Sequence, residues 1–273
     1  MPGSCGTLRR VNSFLAVAVE AARRAGQLLR DARGGLHRIS YKGSPTNLVT
    51  EMDRSAEALI VEHLLGAFPT HGVLGEEGGA RSGVSGYRWL VDPLDGTTNY
   101  AHGLPVFAVS VALERDGVVE LGVGYDPTRD ECFVAERGQG ATLNGEPIQV
   151  SATRNLGESL LSTGFPYDIR TTAETNLAEY AALSLRARAV RRLGSAVLDL
   201  CYVAAGRFDG FWELALGPWD MAAGGLIVQE AGGRVTDVLG GPWRLDGPGM
   251  LASNGQIHGG ILAVLAEVRQ SRG

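Results

Sequence analysis

Apolar residues recur at helical spacing from about Leu8 to Ala32, with Gly34-Gly35 as a stop. A second helix is predicted over Glu51–Ala67. Thr50 is a good N-cap for it, Asp53 stands at the capping-box position and Pro69 ends it. Short apolar runs at Gly72–Leu74 and Trp89–Val91 each lead directly into acidic residues. From Phe107 to Val150 the pattern becomes that of hairpins. The runs Ala108–Leu113, Val118–Val123 and Glu131–Ala135 are separated by Asp116-Gly117, Asp126-Pro127 and Asn144-Gly145. Beyond Ser151 the periods alternate. Leu160–Thr163, Ala189–Arg192, Arg234–Val238 and Met250–Ala252 read as strands, and Thr172–Leu185, Ser195–Ala205 and Ile257–Val268 as helices. An α+β N-terminal part, residues 1–150, followed by an α/β C-terminal part, residues 151–273, is the organisation this predicts. The chain shows no repeat and no long linker, so the two parts are expected to pack tightly.

Composition narrows the function classes. The 273 residues are 44% hydrophobic and 20% charged, an ordinary globular balance. The net charge is −5 and no run of Lys or Arg forms a basic footprint, so nucleic acid is not an expected partner. Cys5, Cys132 and Cys201 form neither a disulfide framework nor a paired zinc motif, which fits a reduced, cytoplasmic setting. The stretch Phe14–Leu29 is interrupted by Glu20, Arg23 and Arg24. It is too charged for a signal-peptide core or a membrane span.

Four short segments carry candidate chemistry: Val49–Asp53, Gly75-Glu76-Glu77, Asp92–Asn99 and Pro218-Trp219-Asp220. Each ends an apolar run or opens a helix, where fold elements meet at a cleft. Asp92 and Asp95 lie three residues apart around Pro93, which restrains the backbone on what reads as a turn. Carboxylates with a backbone carbonyl are hard oxygen donors, suited to Mg²⁺ and poorly suited to zinc. Gly96-Thr97-Thr98 reads as a helix start, whose free N–H groups favour a phosphate. Each segment also has a plainer reading. Asp-Pro-x-Asp-Gly can be only a turn, Asp220 and Asp53 can serve only as helix caps, and Glu76-Glu77 can be a solvated loop. Their joint occurrence is what points to a site. None of the five histidines stands in a metalloprotease pattern and no cysteine lies in the segments, so no nucleophile is evident. His102, beside the acidic motif, reads as a loop residue.

At this point the chain resembles the inositol monophosphatase family, within the lithium-sensitive phosphatases that include fructose bisphosphatases. The resemblance runs over nearly the whole chain. It rests on Trp89–Tyr100 and Gly217–Gly224, with Gly75-Glu76-Glu77, the segment of Lys42, Glu136-Arg137-Gly138 and Asn144-Gly145 in support. It implies a layered αβαβα sandwich, a common homodimer, and hydrolysis of a small phosphate monoester with two or three Mg²⁺ ions. By resemblance, Glu76, Asp92, Asp95, Asp220 and the carbonyl of Leu94 would hold metal. Asp53 and Thr97, with Glu76, would serve the attacking water. Gly96, Thr97 and Thr98 would take the phosphate. Lys42, Ser195, Ala196, Glu213 and Asp220 would line the substrate. Thr97-Thr98-Asn99 favours inositol phosphates over histidinol phosphate, fructose 1,6-bisphosphate or phosphoadenosine phosphate, because relatives directed to nucleotide or histidinol often carry Lys after the first Thr. A regulatory binding role beside catalysis and a metal-holding structural protein are the readings from other classes.

Overall fold

The computed structural model describes residues 13–35, 39–41 and 48–271. In chain order the helices are α1 (Phe14–Ala32), α2 (Glu51–Ala67), α3 (Thr97–Ala101), α4 (Leu177–Ser184), α5 (Ala196–Ala204), α6 (Pro218–Glu230) and α7 (His258–Gln270). The strands are β1 (Ile39–Tyr41), β2 (Leu48–Thr50), β3 (Gly72–Gly75), β4 (Gly79–Arg81), β5 (Tyr87–Asp95), β6 (Ala108–Arg115), β7 (Val118–Asp126), β8 (Glu131–Glu136), β9 (Ala141–Leu143), β10 (Glu146–Pro147), β11 (Leu160–Thr163), β12 (Ala189–Arg191), β13 (Gly210–Leu214), β14 (Arg234–Thr236) and β15 (Gly249–Ser253).

One sheet has eight strands in the order β10-β9-β8-β7-β6-β5-β3-β4, and a second has five in the order β12-β11-β13-β15-β14. Helices α1 and α2 cover the outer face of the large sheet. Helices α5 and α6 lie between the sheets, and α4 with α7 cover the far face of the small one. The result is the expected αβαβα layering. The large sheet is antiparallel except for β3–β5, and the small sheet is mixed, with β11 parallel to both neighbours.

Three apolar layers hold this stack. Ala18, Ala21, Leu29, Ile60 and Leu64 pack on Trp89, Val91, Val109 and Val111. Leu90, Ala112 and Phe133, from the opposite face, pack with Val197, Leu200, Leu226, Ile227 and Phe211. Leu183, Ile261, Val264 and Leu265 close over Leu161, Trp212 and Leu251. Because both faces of β5 and β6 are buried, their sequences read as continuous apolar runs rather than alternating ones.

Most predicted elements are in place, and the differences are instructive. Helix α4 begins at Leu177 rather than near Thr172. Asn176 just before it adopts φ 64° and is buried. Its side chain donates to Thr163 Oγ1 and Gly164 O and accepts from Trp212 Nε1, so a tertiary anchor sets the start. The Asp92–Asp95 segment is a bulged strand and not a turn. Asp92 faces Ser110 while Asp95 faces Ala108, three steps on β5 against two on β6. Strand β13, which carries Glu213, had no place in the predicted set.

Candidate active site

The β5 bulge sets the site. Residues three apart on a regular strand point to opposite faces, and one extra residue restores them to the same face. Leu90 packs in the layer against α5 and α6, whereas Trp89, Val91 and Leu94 all pack under α1 and α2. The face therefore switches between Asp92 and Leu94, which turns both aspartates toward the middle helices. Pro93 sits within the irregularity, where its missing N–H removes no regular ladder bond.

Each acid is then fixed by backbone donors. Asp92 Oδ1 accepts from Leu94 N–H at 3.0 Å. Asp95 reaches the start of α5, where Oδ2 accepts from the Ser195 hydroxyl at 2.6 Å and Val197 N–H at 2.7 Å, and Oδ1 from Ala196 N–H at 3.3 Å. Asp220 Oδ2 accepts from Gly217 N–H at 2.7 Å, so it does cap α6. Asp53 Oδ2 accepts from the N–H and hydroxyl of Thr50 at 2.8 and 2.6 Å, completing its capping box. For Asp53 and Asp220 the capping role is real, and each also reaches a second side chain, Thr97 for Asp53 and Asp92 for Asp220.

Electrostatics tie the acids together. Burial pushes Asp92 well above the usual carboxylate range, and Glu76, Asp95 and Asp220 push it further. Asp95 is pushed up to about 6, first by burial, with Glu76 adding to the rise and the Ser195 hydroxyl and α5 amides opposing it. Asp220 is raised by burial, then by Glu76 and Asp95, while a hydrogen bond with Asp92 offsets part of the rise. Such a group is short of positive charge. Among the described residues, no three of its side chains converge as a finished metal site. The oxygens of Asp95 and Asp220 accept instead from the donors just named. The donor chemistry nonetheless fits a hard divalent cation: clustered carboxylates and a neighbouring carbonyl, with no thiol or imidazole among them.

Thr97 links α2 to the end of β5. Its hydroxyl lies 2.8 Å from Asp53 Oδ1 and 3.1 Å from the Leu94 carbonyl. Helix α3 starts beside it, with Gly96 as N-cap at φ 97°, a backbone that favours glycine. Thr98 is half-buried on the same turn. Asp95, Ser195, Ala196, Glu213 and Asp220 line one cavity of about 60 Å³, together with Tyr167, Arg192 and Asp199. Burial raises the Glu213 carboxyl strongly, with Asp199 and Asp220 adding to it. Larger grooves lie elsewhere, but the 670 Å³ one beside Trp243 is lined by none of the site acids. Lys42 and Cys5 lie outside the described residues.

Two positioning roles are not legible in the sequence, one of Asn99, within the acidic segment, and one of Glu57. Asn99 Nδ2 bridges Val106 O and Leu193 O, each at 2.8 Å, which ties α3 to the loop before α5. Glu57 holds the loop after Glu76, as described below. Its only sequence signal is its place four residues after Asp53, on the buried face of α2.

A layered αβαβα stack with acids gathered where β5, α5 and α6 meet defines a phosphoester-hydrolase class of site. The family model described as "Inositol monophosphatase family" matches residues 10–270. Inositol-1-monophosphatase of Synechocystis sp. is 45% identical over 261 residues, covering 95% of this chain and 91% of that protein. Nus factor SuhB of Pseudomonas aeruginosa is 45% identical over 260 residues, covering 92% and 95%. The solved structure of inositol monophosphatase from Anabaena (Nostoc) sp. superposes with a TM-score of 0.85 at 44% identity, covering 93% and 95%. This chain belongs to the inositol monophosphatase family, and it is a phosphoric monoester hydrolase.

Proposed function

We infer that the protein hydrolyses a small polyol phosphate, myo-inositol monophosphate first among them, by direct in-line attack of water with Mg²⁺ as cofactor. The observation that carries this reading is the bond between Thr97 Oγ1 and Asp53 Oδ1, set beside raised, clustered carboxylates. Asp92, Asp95, Asp220, Glu76 and the Leu94 carbonyl would hold two or three Mg²⁺ ions. When bound there, Mg²⁺ would neutralise phosphoryl oxygens and acidify the attacking water.

The residues of the chain supply the rest. With its proton directed to Asp53, the Thr97 hydroxyl presents lone pairs to a water and orients it. A proton leaving that water passes to the Thr97–Asp53 pair. The N–H groups of Gly96 and Thr97, with the turn at Thr98, take phosphate oxygens. Glu213 accepts hydrogen bonds from the hydroxyls of the polyol, and Ser195-Ala196 forms the adjoining wall. Water adds to phosphorus, the ester oxygen leaves with the bonding pair and a proton, and the products are the alcohol and inorganic phosphate. No phosphoenzyme is invoked, because burial pushes the Cys132 thiol up to about 11 and raises Cys201 as well, and neither cysteine lines the cavity. The two parts, 1–150 and 151–273, act as one unit in a cytoplasmic homodimer, a state that sedimentation would check.

The test is phosphate release from inositol 1-phosphate, fructose 1,6-bisphosphate, histidinol phosphate and phosphoadenosine phosphate, each with and without Mg²⁺ and with added Li⁺. Mg²⁺-dependent release from the inositol ester, blocked by Li⁺, is the expected result. Release from none of the four would overturn the reading. A second role beside catalysis is favoured by one observation, the 45% identity to a relative named Nus factor SuhB. Cellular function retained after Asp95→Asn would support it.

A further inference from the structure

Glu57 is 6% exposed and lies on α2, one turn beyond Asp53. Strands β3 and β4 form a tight hairpin in which Gly75 pairs with Gly79, leaving Glu76, Glu77 and Gly78 as its tip. The two carboxylate oxygens of Glu57 enter that tip from beneath. Oε2 accepts from Glu77 N–H at 2.9 Å and Oε1 from Gly78 N–H at 2.5 Å. The neighbouring N–H of Glu76 donates instead to Val91 O on β5 at 3.2 Å. Successive amides of the tip are thus held from two sides, one by the sheet and the others by a single side chain. A Cβ at Gly75 or Gly78 would run into the Glu57 carboxylate, so the close seat requires glycine at both positions.

We propose that Glu57 is a positioning residue for the metal centre: its carboxylate fixes the hairpin tip so that Glu76 faces Asp92. The inference rests on the reading above, in which Glu76 helps hold a divalent cation. Gly75 pairs with Val91 and the Glu76 N–H donates to the Val91 carbonyl, so the tip lies directly beside Asp92. Only a carboxylate fits the role, because it alone offers an acceptor to both amides at once. Glutamine would turn an NH₂ toward one of them, and aspartate is a methylene short. Helix α2 acquires a double function. Asp53 bonds the hydroxyl of Thr97, and four residues later Glu57 orients the loop of a metal ligand, so one rigid helix sets the spacing between the two. Residues that orient metal ligands in this way typically contribute 10–100-fold in affinity.

The test is cation binding by the full chain without substrate, read by Mg²⁺ calorimetry and by Tb³⁺ luminescence. Glu57→Gln is expected to weaken binding by about 10–100-fold, approaching the loss in Glu76→Gln. The Glu77 and Gly78 amides should also lose protection from hydrogen exchange. A merely structural role would lower the melting temperature of the metal-free protein and leave the affinity of the folded fraction unmoved. Unchanged affinity in folded Glu57→Gln would overturn the positioning role and leave the site reading standing. Absence of divalent-cation binding in the unsubstituted protein would overturn both. If Glu57→Gln does not fold, Gly78→Ala decides, since its methyl displaces the carboxylate while keeping the charge. Weaker binding supports the proposal there, and unaltered binding overturns it.

Discussion

The hydroxyl of Thr97 lies 2.8 Å from Asp53 Oδ1, a contact between residues 44 positions apart on two different helices. It is possible because α3, which follows β5 directly, packs against β2, the strand that leads into the capping box of α2. Asp53 divides its oxygens between the two: Oδ2 closes the cap on Thr50 and Oδ1 takes Thr97.

The first prediction concerns that pair. Asp53→Asn and Thr97→Val are each expected to lower turnover by about 10²–10⁴-fold, the range for a positioned proton acceptor. Thr97→Ser keeps the hydroxyl and should retain most activity. Steady-state kcat on inositol 1-phosphate decides; equal activity in Thr97→Val would remove the hydroxyl from the reaction.

Loss of a carboxylate proposed to hold metal should also lower turnover. Asp95→Asn and Asp220→Asn are expected to lose turnover by about a hundredfold or more, with weaker activation by Mg²⁺. A Mg²⁺ titration of phosphate release reads both effects.

Metal should also stabilise the fold, and the pH dependence has a definite sign. Asp95 is pushed up to about 6 from an ordinary 3.8. The metal-free folded protein then binds more protons than the unfolded chain between about pH 4 and pH 6. Stability is full below that window and is lost as pH rises through it. Asp95→Asn should flatten this part of the profile. Mg²⁺ should restore stability on the alkaline side, by about 2.7 kcal/mol at a hundred times its Kd. Thermal melts with and without chelator would show it; a melting temperature indifferent to millimolar Mg²⁺ contradicts it.

His258 gives the opposite slope in a different layer. It is fully buried between Thr236 Oγ1 at 3.0 Å and Ser253 Oγ at 2.8 Å. Burial lowers it from 6.5 to about 4. Its contribution is present above about pH 6.5 and is lost as pH falls through about 4. His258→Gln should therefore remove acid sensitivity that Asp95→Asn leaves in place, and comparing the two melting profiles separates the effects.

Glu213→Ala should act on substrate choice. Turnover of the inositol ester is expected to fall more than that of a small aryl phosphate, because only the former carries hydroxyls for the carboxylate. Equal losses on both esters would assign Glu213 a structural role.

The chain itself announces much of this. Thr50 and Asp53 cap α2 through contacts spanning three residues, and the hairpins of Phe107–Val150 follow from turn residues and strand periodicity, all of it local. The four acidic segments are visible for the same reason, since each motif is continuous in sequence. Tertiary structure alone decided how they meet. Asp95 is held by Ser195 and Val197, about a hundred residues on, because the start of α5 meets the end of β5. The bulge that turns Asp92 and Asp95 to one face exists in the pairing of β5 with β6, and Asn176 sets the start of α4 through Trp212. Glu57 looks from sequence like an ordinary helix glutamate until the β3–β4 hairpin closes over it. Caps and periods are governed by neighbours three or four residues away, whereas this site is assembled by layers whose contacts are remote in the chain.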